Sequence, residues 1–221
     1  MNKLYAFIFS IPGAGWLKTR LSHVYARLFI GPTEEEKFSH NLTHRLLLTF
    51  DDFGDEQQIH SILDILSKFQ IKAAFFLVGE WAKKNPNLVS QIRNNGHWVG
   101  NHSFSHKKLT SLSEADLKKE ILGGGIESAL LRPPYGAYNK KIREIAESLG
   151  KKICYWSIDS DDWRGLPTRI IADRVLSELH PGACVLMHVN GLHTADALPL
   201  IIQGARDRGF EFCFAGNELD V

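Results

Sequence analysis

The sequence predicts an α/β fold in which parallel strands alternate with helices and close into a barrel. Three observations predict it. From residue 45 onward, seven short apolar runs alternate with six segments of helical periodicity. Parallel neighbours need a crossover of about a dozen residues, usually a helix. Ionisable residues gather in five clusters at the C-terminal ends of these strands, the edge where parallel barrels and sheets carry their sites. The 221 residues are 44% hydrophobic and 23% charged, enough apolar material for one core. A doubly wound open sheet shares the alternation, but polar residues shared among so many strand ends fit one barrel mouth better than a single switch point.

The elements follow in order. Residues 45–50 (RLLLTF) form a short apolar strand, and Ile59, Ile62, Leu63, Leu66 and Phe69 lie on one face of a helix over 56–69. Residues 71–78 are continuously apolar and aromatic, as in a strand buried on both faces. A helix over 80–95 ends at Gly96, and residues 97–101 form the next strand. Ser111 and Glu114 make a capping box for a helix reaching Leu122. Strands over 128–132, 151–158, 182–189 and 210–215 are separated by helices over 138–149, 167–179 and 194–208. The expected organisation is an extension over residues 1–44 followed by one domain over 45–221.

Composition excludes several classes. The net charge of +1 gives no field to draw the chain onto nucleic acid. Three cysteines cannot form a closed disulfide framework, and Cys154, Cys184 and Cys213 lie in apolar runs as reduced core residues. No uncharged apolar run reaches 18 residues, so no ordinary transmembrane helix is expected. Residues 1–32 nevertheless carry +4 and no acidic residue, against −3 for the remainder. Lys3 and the apolar Leu4–Ile11 run are like the start of a secretory signal. Residues 16–30 form a basic amphipathic helix, and its apolar stripe either lies in a membrane interface or packs on the domain behind it. Peripheral membrane contact through residues 1–30 and a location at the cell envelope are therefore expected, with the cytoplasm as the alternative. Oligomeric state has no signature in the sequence.

The chemistry lies at the strand ends. His102 and His106 are four residues apart, so both rings reach one ion if the segment turns, and a carboxylate completes a two-His-one-carboxylate face with open positions. Asp51 and Asp52 are adjacent, so one ligates while the other stays free for proton transfer. His188 ends an apolar strand, and a carboxylate ends the strand before it, the usual way to poise an imidazole as acid or base. Arg132 precedes Pro133-Pro134, a stiff segment that fixes a guanidinium fork for a carboxylate. His193 lies near the mouth without an assigned role, and no other histidine is given chemistry.

These residues carry a resemblance. Residues 45 to about 216 are similar to the NodB-homology polysaccharide deacetylases, a carbohydrate esterase group that removes N-acetyl groups from amino-sugar polymers. Five of its motifs stand in order: Thr49-Phe50-Asp51-Asp52, His102-Ser-Phe-Ser-His106, Arg132-Pro133-Pro134-Tyr135, Asp159-Ser-Asp-Asp162-Trp163 and Leu186-Met187-His188. The resemblance implies a distorted barrel of seven or eight β/α units. It implies that Asp52, His102 and His106 hold a divalent metal, zinc above all, with cobalt or nickel as alternatives. Asp51 would be the base, held by Arg132, and His188 the acid, supported by Asp162. Tyr135 would offer a backbone N–H to the oxyanion, and Trp163 and Leu186 would wall the acetyl pocket.

The chain departs from the family at one place: Phe53 stands where a glycine normally follows the aspartates. That residue is expected to narrow the mouth, swing aside or offer a stacking face to a sugar ring, and it puts polymer specificity in doubt. The substrate expected is an N-acetylglucosamine-containing glycan. A deacetylase or deformylase of a lipid-linked sugar, or an O-acetyl esterase, keeps the same chemistry, and a non-catalytic glycan-binding protein keeps only the fold.

Overall fold

The computed structural model describes residues 44–213, and the expectations for residues 1–43 lie outside it. The strands are β1 (Arg45–Asp52), β2 (Ala74–Leu77), β3 (Trp98–Asn101), β4 (Leu130–Leu131), β5 (Lys152–Ile153), β6 (Ile158–Asp159), β7 (Ala183–His188) and β8 (Glu211–Phe212). All pairings are parallel, in the order β5-β4-β3-β2-β1-β7-β6, with β8 also pairing β1. The sheet is a curled half-barrel whose free edges are β5 and β6. The helices are α1 (Glu56–Lys68), α2 (Gly79–Lys84), α3 (Pro86–Asn94), α4 (Glu114–Leu122), α5 (Lys140–Ser148), α6 (Thr168–Glu178) and α7 (Thr194–Arg206).

Alternation along the strands separates two interiors. Leu46, Leu48 and Phe50 of β1, Phe75 and Leu77 of β2, and Val185 and Met187 of β7 join one core with Ile59, Ile62 and Leu66 of α1 and Leu198, Ile201 and Ile202 of α7. Each such side chain, once fully buried, contributes about 1.5–3 kcal/mol. The opposite face holds Thr49 and Asp51, Ala74 and Phe76, and Cys184, Leu186 and His188, because successive side chains of a strand point to opposite sides. The largest fully buried side chain of the described residues is there too, and it is Arg132.

Three local readings are corrected. The strand expected over 151–158 is two short strands separated by Cys154–Ser157. The Arg132 guanidinium takes the Cys154 carbonyl from Nε and the Tyr155 carbonyl from Nη2, each at 3.3 Å, so these carbonyls turn inward. The helix expected over 80–95 breaks at Asn85, because Pro86 has no N–H and disfavours helical backbone in the residue before it. The cap of α4 is Ser113, whose Oγ accepts from the Asp116 N–H at 3.2 Å, while Ser111 lies in a preceding 3₁₀ turn.

Candidate active site

All five motifs meet at the C-terminal mouth of the half-barrel. The backbone there is unusual. Asp52, Ser103, His106, Tyr135 and Asp161 all have positive φ, and each lies at or just beyond the end of a strand. Non-glycine residues adopt this region rarely and at a cost, and such residues gather at functional sites.

Asp51 and Asp52 end β1 and part company there. Asp51 is paired in register with Phe76 of β2 and His188 of β7, and its side chain points into the barrel. Its Oδ1 accepts from Arg132 Nη1 at 2.8 Å. The same Nη1 donates to Thr49 Oγ1 at 2.7 Å, and Thr49 donates in turn to the Val185 carbonyl. The guanidinium lies 4.0 Å from the Phe76 ring centroid, and Nη2 faces the sulfurs of Cys154 and Cys184 at 3.7 and 3.5 Å. Burial pushes the Arg132 pKa down, but the Asp51 charge and the two thiols outweigh it and keep the cation charged. Cys154 is drawn down to about 7 by its hydrogen bond with Cys184 and by Arg132, against burial. These cysteines are reduced and buried, as expected, and they also line the cation.

Asp52, at φ 75°, turns the other way. Its Oδ1 lies 3.4 Å from His102 Nε2 and 3.0 Å from His106 Nε2. Yet this buried oxygen receives no hydrogen bond. His102 explains half of this. Its Nδ1 lies 2.8 Å from the Arg132 carbonyl, which only accepts, so Nδ1 carries the proton and Nε2 presents a bare lone pair. The three ligand atoms lie within 4.8 Å of one another. An orphaned carboxylate oxygen beside imidazole nitrogens is what a divalent metal completes, and two nitrogens with one oxygen suit zinc and its neighbours.

The opposite wall is built from the same residue types with every valence filled. Asp162 Oδ1 accepts from His188 Nδ1 at 2.7 Å and from the Trp163 N–H at 2.9 Å. Its Oδ2 accepts from the His188 N–H at 2.8 Å and from the Thr194 hydroxyl. Burial alone lowers the His188 pKa, but the Asp162 hydrogen bond and charge, aided by Asp51 and Asp52, raise it to about 9. His188 therefore carries a proton at neutral pH. Thr194 opens α7, and Gly191 is required beside it, since a Cβ there would lie 2.1 Å from Thr194 Oγ1 and 2.9 Å from Asp162 Oδ2.

The rim is aromatic and apolar. Trp163 is 60% exposed and Tyr135 69% exposed, with the Tyr135 ring edge-on to His106 at 4.7 Å. Gly136 and Ala137 donate their N–H groups to Pro133 and Pro134, whereas the Tyr135 N–H has no backbone acceptor among the described residues. Leu186 lies deeper, buried in β7 opposite Thr49 and Asp159. Phe53 is 43% exposed on the loop after β1. The close approach there belongs to Gly54, whose missing Cβ leaves room for Val189. His193 stands 3.6 Å from Asp196 at the start of α7. Thr194 was not singled out from the sequence, and Thr49 and the cysteines beside Arg132 were given no role at the site, since a hydroxyl or thiol in an apolar run has no local pattern to mark one.

Residues 40–154 match the family model described as polysaccharide deacetylase. A peptidoglycan-N-acetylglucosamine deacetylase of Bacillus cereus is 34% identical over 200 residues, which is 85% of this chain and 70% of that protein. The crystal structure of a peptidoglycan N-acetylglucosamine deacetylase, bound to an N-oxidanyl-benzamide compound, superposes with a TM-score of 0.74 at 33% identity, over 77% of this chain and 86% of that one. A Bacillus anthracis protein described as a CE4 family pseudoenzyme superposes with a TM-score of 0.73 at 28% identity, over 78% of this chain and 64% of that one.

Proposed function

Because the chain belongs to the polysaccharide deacetylase family, we propose that it is a metal-dependent hydrolase that removes N-acetyl groups from an N-acetylglucosamine-containing glycan, with peptidoglycan the substrate its relatives favour. The observation that carries this reading is the buried Asp52 Oδ1, which faces two imidazole nitrogens and accepts no hydrogen bond.

Asp52, His102 and His106 would hold the divalent ion, zinc by preference. Bound there, the ion polarises the acetamide carbonyl and lowers the pKa of water. Asp51 takes the proton of the attacking water, its position fixed by Arg132 rather than by solvent. The Tyr135 N–H is offered to the developing oxyanion, a donor of the kind whose loss costs about 10²–10³ in rate. His188 gives its proton to the departing nitrogen, which is a poor leaving group until protonated. Asp162 fixes the ring through Nδ1, so that Nε2 would be the nitrogen that serves the substrate. Trp163 and Leu186 would border the acetyl methyl, and Phe53 would stack on a sugar ring. The products are acetate and a free amino sugar.

A neighbour described as a pseudoenzyme gives the non-catalytic alternative a concrete form, but the retained base, acid and ligand trio support catalysis here. The +4 stretch over residues 1–32 supports an envelope location and contact with a membrane surface, and among the described residues no helix is long and apolar enough to cross a membrane. Acetate release from penta-N-acetylchitopentaose and from peptidoglycan, after stripping with EDTA and re-addition of zinc, tests the reading. Release restored by zinc is the expected outcome. Silence on both polymers with zinc bound stoichiometrically would exclude them as substrates and turn the search to a lipid-linked sugar.

A further inference from the structure

The segment from His102 to His106 is held from outside by one turn of α4, and we infer that Glu120 in that turn is a positioning residue for metal binding, acting through Ser105 on His106. This rests on the metal reading above. The segment bends sharply, Ser103 and His106 both having positive φ. On one side it is tied to α2, whose Gly79 and Glu80 N–H groups donate to the Ser103 and Phe104 carbonyls at 2.9 and 2.8 Å, and within itself the His106 N–H donates to Ser103 Oγ at 3.1 Å. On the other side it is tied to α4. Both oxygens of the buried Glu120 carboxylate are committed to Ser105, Oε2 accepting the backbone N–H at 2.8 Å and Oε1 the hydroxyl at 2.6 Å. The Glu120 backbone carbonyl accepts the Phe104 N–H at 2.8 Å, and Lys107 lies 3.5 Å from Oε1. Asn101, which caps the Ser103 N–H with Oδ1 at 2.7 Å, donates its amide to the Ile121 carbonyl at 2.8 Å. The turn approaches this closely because Gly123 and Gly124 follow it; a Cβ on Gly123 would lie 3.2 Å from Phe104, and one on Gly124 2.8 Å from Gly79.

His106 is thus flanked on both sides by residues that Glu120 holds, Ser105 before it and Lys107 after it. His102 is secured independently, by its N–H to the Leu77 carbonyl and its Nδ1 to Arg132. Glu120 does not face the substrate mouth, and no step of the reaction uses it. Its carboxylate fixes the angle at which one of the three ligands is presented; partners bonded directly to a ligand commonly change metal affinity by about 10–100-fold when removed, which bounds the effect of one that acts through Ser105.

The test is the zinc dissociation constant of the full chain, stripped of metal and titrated with zinc against a chromophoric chelator, together with the thermal midpoint of the metal-free protein. Glu120→Ala is expected to weaken zinc binding, by at most about 10–100-fold. Glu120→Gln keeps one accepting oxygen for Ser105 and should recover part of the loss, and Ser105→Ala, which removes only the hydroxyl donor, should show a smaller one. Ile121→Val, in the same turn, should lower the thermal midpoint and leave the zinc constant unchanged. If Glu120→Ala does not fold, Glu120→Gln and Ser105→Ala decide the matter by the same criterion. Unchanged zinc constants in the Glu120 and Ser105 variants, or an equal loss in Ile121→Val, overturn the inference. A wild-type chain that binds no zinc overturns the metal reading itself.

Discussion

The two walls of the mouth are made of the same side chains and differ in how far their hydrogen bonds are completed. On one wall, Asp52 aims a buried oxygen at two imidazoles and accepts no hydrogen bond from them. On the other, both oxygens of Asp162 are filled by four donors: His188 through ring and backbone, Trp163 and Thr194. The partner of Nδ1 decides the difference. His102 gives its Nδ1 proton to a carbonyl and leaves Nε2 bare, so it is ready to ligate. His188 faces a carboxylate through Nδ1 and keeps its proton at neutral pH, so it is ready to donate. A buried polar group left without a partner is costly, so the unfinished wall marks where a ligand belongs, and the finished wall marks where a proton is kept.

Arg132 holds Asp51 through its guanidinium and His102 through its carbonyl, and its removal should have the largest effect. Arg132→Met leaves Asp51 buried without its cation, and stranding one partner of a buried pair costs about 3–5 kcal/mol. Urea unfolding of the metal-free protein should show this loss, along with acetate release at background. A variant of wild-type stability would mean that solvent reaches Asp51 freely.

Next is Asp162→Asn, which acts on the finished wall alone. The His188 pKa is raised from 6.5 to about 9 in the folded protein. A raised folded pKa contributes stability that is fully present below the unfolded value and lost as pH rises through the folded one. Wild-type metal-free protein should therefore lose this stabilisation between pH 6.5 and 9, and Asp162→Asn should have little of it to lose. In turnover, the alkaline limb set by His188 should move to lower pH, with a rate loss of about 10²–10⁴. Zinc affinity should not change. An unmoved alkaline limb would show that His188 is not the acid.

The smallest change is Thr194→Val, which removes one of the four donors to Asp162. It should cost about 1.5–3 kcal/mol, as loss of a hydrogen bond to a charged group does, and Thr194→Ser should restore it. Equal stability of all three proteins would mean that the Thr194 hydroxyl contributes nothing to the finished wall.

The parts of the molecule read correctly from sequence are those that announce themselves locally. Apolar runs of strand length placed β1, β2, β3 and β7, and the polar residues beyond them, Asp51, Asp52, His102, His106, Arg132 and His188, come together at one mouth. Residues whose role depends on a distant partner were not legible. Cys154, Tyr155 and Trp156 read as strand because they are apolar, but the chain opens there because a guanidinium from β4's end takes two of its carbonyls. Thr49 and Thr194 are ordinary threonines until Arg132 and Asp162 come to lie against them. Glu120 looks like the polar side of an amphipathic helix, and only the fold of the His102–His106 segment buries it. Phe53 was noticed as a departure from the family, and the glycine that the fold needs there is Gly54, one residue later.

The division of labour between Asp51 and Asp52 is the centre of this account, and metal content measured beside turnover tests it most directly. Asp51→Asn should bind zinc with wild-type stoichiometry and release acetate at background, because the ligand is intact and the base is gone. Asp52→Asn should lose zinc and turnover together. Substantial acetate release by zinc-loaded Asp51→Asn, or loss of zinc from Asp51→Asn as complete as from Asp52→Asn, would contradict the assignment of base and ligand to these two neighbours.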